Sequence, residues 1–154
     1  MKINLKTKSA KQTQKIAKLL AQEISKLKTK KSIVLALTGD LGSGKTTFIQ
    51  GFIKGLGIKK RITSPTFIII KSYKLHKPKN KNWNLIYHID CYRLQKPEEL
   101  ISLGFKNLLN QFSSIFLIEW AEKIKKILPK NTVWLKFQYG EKENERTIRI
   151  SPKS

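Results

Sequence analysis

A chain of 154 residues is long enough for one substantial hydrophobic core and too short for a second. Its 32 basic and 10 acidic residues give a formal net charge of +22, and a single cysteine, Cys91, leaves no partner for an internal disulfide. No apolar run approaches the roughly 20 residues that span a bilayer, and the N-terminus lacks a signal-peptide core, so the expectation is one domain over 1–154 in a reducing cytoplasm, with no membrane contact.

In chain order, Ile3 and Leu5 predict a short edge strand, and Ser9-Ala10-Lys11-Gln12 a capping box. The box opens a helix whose Ile16, Leu19, Leu20, Ile24 and Leu27 form one apolar stripe. Ser32 to Thr38 reads as a buried strand, and Thr46 to Ile53 as a helix that ends at Gly55-Leu56-Gly57. Thr66 to Leu75 and Asn84 to Leu94 are β-branched and aromatic, with a lysine-rich loop between them. Pro97-Glu98-Glu99-Leu100 starts a short helix; Ser114 to Trp120 is a buried strand; Ala121 to Leu128 is a helix stopped by Pro129. Thr132 to Tyr139 and Arg146 to Ile150 close the chain as a hairpin around Gly140-Glu141. Early helix–strand alternation followed by β-pairs predicts an α/β three-layer sandwich with a mixed, partly antiparallel sheet.

Gly39-Asp40-Leu41-Gly42-Ser43-Gly44-Lys45-Thr46 matches the P-loop pattern G-x-x-x-x-G-K-[ST] between the predicted strand and helix. By chance a chain of this length meets the pattern about once in a hundred. Glycines let backbone N–H groups converge on a β-phosphate without Cβ clashes, and the helix N-terminus adds partial positive charge. Lys45 would reach the β- and γ-phosphates, and the Thr46 hydroxyl would ligate Mg²⁺. The chain therefore reads as a nucleoside-triphosphate binder.

Such a site needs carboxylates at the ends of neighbouring strands for Mg²⁺ and the attacking water. Asp90 follows Leu85-Ile86-Tyr87-His88-Ile89, and Glu119 follows Ile115-Phe116-Leu117-Ile118 in a Walker-B-like shape. Both are functional candidates, with the division of roles open. Ser64-Pro65-Thr66 is either a turn that launches a strand or a γ-phosphate switch. His88 and Cys91 read as packed residues, and Trp120 as partly buried and able to stack on a ligand or partner. Only four of the 32 basic residues are arginine, whereas recognition surfaces favour arginine for its bidentate fork. The lysine excess points to an AT-rich genome ahead of a dedicated RNA surface.

Taken in order, Thr38 to Phe48, Thr63-Ser64-Pro65-Thr66-Phe67, Tyr87-His88-Ile89-Asp90-Cys91-Tyr92-Arg93-Leu94, Pro97 to Leu100 with Leu103-Gly104, and Ile118-Glu119-Trp120 resemble the TsaE (YjeE) family of tRNA threonylcarbamoyladenosine biosynthesis. The resemblance covers nearly the whole chain. It implies a small P-loop ATPase that uses ATP and Mg²⁺. Such ATPases act with a TsaD–TsaB heterodimer that modifies adenosine 37 of tRNAs reading codons that begin with A. ATP binding would drive association with the heterodimer, and hydrolysis would reset the complex; tRNA is the substrate of the complex. Carried over by position, Leu41, Gly42, Ser43, Gly44, Lys45, Thr46 and Thr47 form the phosphate cradle, and Thr46 and Glu119 ligate Mg²⁺. Asp90 orients water or backs a metal ligand, Ser64 to Thr66 form the switch, Trp120 lies near the nucleotide or partner, and Arg146 approaches the nucleotide from the C-terminal hairpin. Ala121 stands where many relatives have proline, and the lysine content exceeds the family's usual level. Two other classes compete: a small P-loop kinase of a nucleoside or metabolite, and a basic RNA-binding module with a vestigial P-loop. Four scattered arginines make a poor kinase lid, and the absence of an evident arginine finger predicts slow hydrolysis by the isolated chain.

Overall fold

A computed structural model describes residues 1–64, 69–76 and 82–152. The elements run β1 (Ile3–Thr7), α1 (Ala10–Ser25), β2 (Ile33–Thr38), α2 (Lys45–Gly55), β3 (Ile70–Lys74), β4 (Leu85–Asp90), α3 (Pro97–Ser102), α4 (Phe105–Leu109) and β5 (Ser114–Glu119). A 3₁₀ segment (Ala121–Ile127), β6 (Val133–Tyr139) and β7 (Arg146–Ser151) complete the chain. The seven strands form one sheet in the order β1-β7-β6-β2-β5-β4-β3. β6, β2, β5 and β4 run parallel, while β3 pairs antiparallel with β4, and β7 antiparallel with both β6 and β1.

The central strands are almost wholly apolar because both their faces are covered, as a parallel sheet requires. Their side chains alternate between two cores. Leu35, Leu37, Ile115 and Leu117 pack with Phe48 and Phe52 beneath α1 and α2. Val34, Ala36, Phe116 and Ile118 pack with Leu100, Phe105 and Ile124 beneath α3, α4 and the 3₁₀ segment. Helices, sheet and helices make the three layers that the sequence predicts.

Two local expectations change. The buried face of α1 is Thr13, Ala17, Ala21 and Ile24, whereas Leu19 and Leu27 are 54% and 47% exposed. The cause lies on α2, where a Cβ at Gly51 would stand 2.4 Å from the Gln14 carbonyl oxygen, and one at Gly55 would stand 2.8 Å from that of Lys18. Helices this close leave room for alanine between them, and the leucines move outward. The second change is that Ala121–Ile127 winds as 3₁₀ helix with a break at Ile124. Ala121, Ile124 and Ile127 all face the core beneath α3 and α4, and a three-residue repeat is the spacing that a 3₁₀ turn places on one side. The predicted strand from Thr66 starts outside the described residues and is seen from Ile70 onward.

This topology sets the site. The loop after β2 opens at the carboxyl edge of the parallel strands. Glu119 is the register partner of Leu37 on one side and of Asp90 on the other, so both acids end their strands beside that loop.

Candidate nucleotide-binding site

The glycine loop takes the shape its sequence requires. Gly39, Gly42 and Gly44 have φ of +141°, +75° and +105°, in the region where a Cβ is penalised. A Cβ at Gly39 would also lie 2.5 Å from the Phe137 carbonyl oxygen. α2 then begins at Lys45 with no side chain capping its first turn, so its leading N–H groups stay available to an anion.

Lys45 is only 4% exposed. Its ammonium donates to the carbonyls of Gly39 at 2.6 Å and Asp40 at 2.9 Å, and lies 4.3 Å from the centre of the Trp120 ring. Burial pulls its pKa below the ordinary lysine value, opposed by Glu119, Glu122, Asp90 and Asp40. Trp120 holds this place with a left-handed backbone, φ +56°, and packs on Tyr92 at 5.1 Å between ring centres.

Glu119 is the centre of the polar network and is 3% exposed. Its Oε1 accepts from the Thr46 hydroxyl at 2.6 Å. Its Oε2 lies 2.7 Å from His88 Nε2 and 3.3 Å from the Ser64 hydroxyl. A carboxylate only accepts, so Nε2 of the fully buried His88 carries the proton. His88 Nδ1 meets no hydrogen-bond partner among the described residues. Ser64 donates to Asp90 Oδ2 at 2.6 Å, and Asp90 Oδ1 accepts from the Tyr92 amide at 2.9 Å.

Lys45, Thr46, Ser64, Asp90, Tyr92, Glu119 and Trp120 border one cavity of about 400 Å³, with His88 behind Glu119. Of the residues expected from sequence, Leu41, Gly42, Gly44, Lys45, Thr46, Thr47, Ser64, Asp90, Glu119, Trp120 and Arg146 line it. Ser43 is in the loop but lies buried behind it, its amide bonded to the Asp40 carbonyl at 3.1 Å. Pro65 and Thr66 of the expected switch lie outside the described residues. Ala10 and Thr13 of α1, Tyr92 and Asn144 also line the cavity and had no assigned role. Tyr92 stood within a quoted motif, but nothing local in the sequence marks the other three. Cys91 is fully buried, and burial, reinforced by Asp90, pushes its thiol up to about 12.

A mixed parallel-centred sheet, a glycine loop feeding a helix N-terminus and two strand-end carboxylates define a P-loop NTPase-like α/β protein. The model for the threonylcarbamoyl adenosine biosynthesis protein TsaE matches residues 7–148, and the chain belongs to the TsaE family. It is 39% identical over 125 residues to the Haemophilus influenzae tRNA threonylcarbamoyladenosine biosynthesis protein TsaE, covering 81% of this chain and 75% of that one. To the Bacillus subtilis protein of the same name it is 38% identical over 144 residues, covering 93% and 82%. The crystal structure of Bacillus subtilis YdiB superposes with a TM-score of 0.72 at 31% identity, covering 97% of this chain and 84% of that one.

Proposed function

We propose that this chain is the Mg²⁺-dependent ATPase subunit of the machinery that threonylcarbamoylates adenosine 37 of tRNA. In this reading it binds a TsaD–TsaB heterodimer when loaded with ATP, and hydrolysis resets the complex. Family membership supports the pathway. The observation that carries the ATPase reading is the 2.6 Å bond from the Thr46 hydroxyl to Glu119 at the mouth of the glycine loop.

The residues present fit both groups. The loop leads into an α2 N-terminus that no side chain caps, and Thr46 with Glu119 offers the hydroxyl–carboxylate pair that suits a hard cation completed by phosphate oxygens. When bound, Mg-ATP supplies the phosphoryl group and the charge neutralisation its transfer needs. The chain's own part is to hold the phosphates on loop and helix N–H groups and to present the Lys45 ammonium. His88 keeps Glu119 in place, and Asp90, tied to Ser64, would orient water. Arg146 lines the cavity with its guanidinium bonded to three backbone carbonyls, a poor start for an arginine finger. Slow hydrolysis by the isolated chain follows.

The test is calorimetric titration of purified TsaD–TsaB heterodimer with this protein, with and without Mg-ATP, alongside ATP turnover. Association only with Mg-ATP is expected. Turnover alone should lie well below about 10 s⁻¹ and rise on adding the heterodimer. Lack of association in both states would overturn the partner assignment, and phosphoryl transfer to a nucleoside or small metabolite would install the kinase reading instead.

A further inference from the structure

The β6–β7 hairpin touches each of the three glycines that shape the P-loop. The Phe137 carbonyl blocks any Cβ at Gly39, and the Tyr139 hydroxyl lies 3.0 Å from where a Cβ at Gly42 would stand. Arg146 Cγ lies 3.8 Å from the corresponding point at Gly44. Two further contacts are directed bonds. The Tyr139 hydroxyl donates to the Leu41 carbonyl, and Arg146 Nη2 donates to the Gly42 carbonyl at 3.2 Å. Tyr139 and Arg146 face each other in the β6–β7 register, and the guanidinium carbon sits 4.7 Å from the centre of the tyrosine ring. Nη1 of Arg146 is anchored at 2.6 Å and 2.8 Å on the carbonyls of Glu143 and Glu145, so the hairpin's own loop fixes the fork.

We infer that Tyr139 and Arg146 are positioning residues, a brace that sets the peptide planes at the tip of the glycine loop for phosphate. The inference rests on the nucleotide reading above. Within a trans peptide the C=O and the following N–H point in opposite directions. Tyr139 is not part of the cavity lining, so holding the Leu41 carbonyl outward turns the Gly42 N–H the other way, toward the cavity. That N–H makes no hydrogen bond among the described residues, which leaves it free for an anion. A loop of this glycine content is flexible unless something outside it selects one set of peptide orientations, and the brace removes that freedom before the ligand arrives. Arg146 serves here through geometry, its fork dividing between two carbonyls of its own hairpin and one of the P-loop.

The experiment is calorimetric titration of wild type, Tyr139→Phe, Arg146→Lys and Arg146→Ala with Mg-ATP, with the thermal midpoint of each variant. Tyr139→Phe keeps the ring on Arg146 and removes one donor. ATP affinity should weaken by about three- to tenfold with the thermal midpoint unchanged. Arg146→Lys keeps the charge without the fork and should lose as much affinity as Arg146→Ala. Wild-type affinity in Tyr139→Phe, or rescue by lysine at 146, would overturn the brace while leaving the nucleotide site standing. Failure of the wild type to bind Mg-ATP would overturn the nucleotide reading, and the brace with it.

Discussion

Glu119 shows how one buried carboxylate is kept usable. Two close donors hold it, the Thr46 hydroxyl on Oε1 and His88 Nε2 on Oε2, while the Ser64 hydroxyl beside it is committed to Asp90. Lys45 and Glu119 therefore separate cleanly by mutation. Lys45→Ala should abolish measurable ATP binding. Glu119→Ala should spare more of the binding and lower turnover by roughly 10²–10³-fold, as loss of a preorganised charged group does; titration and single-turnover assays read the two effects. Cys91 makes a pH prediction. An unfolded thiol titrates near 9.0, whereas burial carries the folded one up to about 12. Its contribution to stability is complete below pH 9 and falls as pH rises toward 12, because only the unfolded chain then releases the proton. At pH 10.5 the loss should reach about 2 kcal/mol relative to pH 8. Urea midpoints of wild type and Cys91→Ala across that range check it, and equal slopes in the two proteins would remove the assignment.

At the scale of elements, the α1–α2 contact is decided by glycines with no active-site role. Gly51→Ala drives a methyl to within 2.4 Å of a backbone oxygen that cannot rotate away, and should cost about 2–3 kcal/mol. Gly57→Ala is the control. Nothing lies within 4 Å of that Cβ, and only its φ of +90° opposes it, for about 1 kcal/mol. Urea denaturation of the two variants ranks them, and the reverse order would show that the helices have room to part. The same contact explains what the sequence left illegible. A periodic stripe announces an amphipathic helix, yet which side is buried depends on the partner's close approach, and Gly51 and Gly55 lie far from α1 in the chain. The N-cap was half legible: Ser9 accepts from the Gln12 amide, but the Gln12 side chain returns to Lys8, one residue before the expected one. The P-loop and the two strand-end acids were legible because strand, glycine loop and helix are local patterns. The hairpin contacts on the loop were not, since Tyr139 reaches Leu41 across 98 positions of sequence.

For the whole molecule the dominant fact is a formal charge of +22. Among the described residues the only lysine–carboxylate bridge is Lys26 with Glu23, whose side chains are 71% and 72% exposed, a setting where ion pairs contribute little. Like charges spread over the surface repel across the molecule, and this repulsion is relieved when the chain expands. Salt should therefore stabilise the fold. Going from about 10 mM to 150 mM shortens the screening length from about 30 Å to 8 Å, which removes most long-range repulsion while leaving buried contacts such as Thr46–Glu119 almost untouched. The thermal midpoint should rise by several degrees over that interval in sodium chloride and flatten beyond it. RNA bound through surface charge alone would draw on the same lysines, so it should weaken steeply over the same interval, with the Lys45→Ala protein behaving as wild type. Mg-ATP affinity, set by the cradle and its buried neighbours, should depend on salt far less than RNA binding does. Parallel salt titrations of the two ligands thus separate the site from the surface, and equal slopes would mean that the surface charge, not the P-loop, captures the nucleotide.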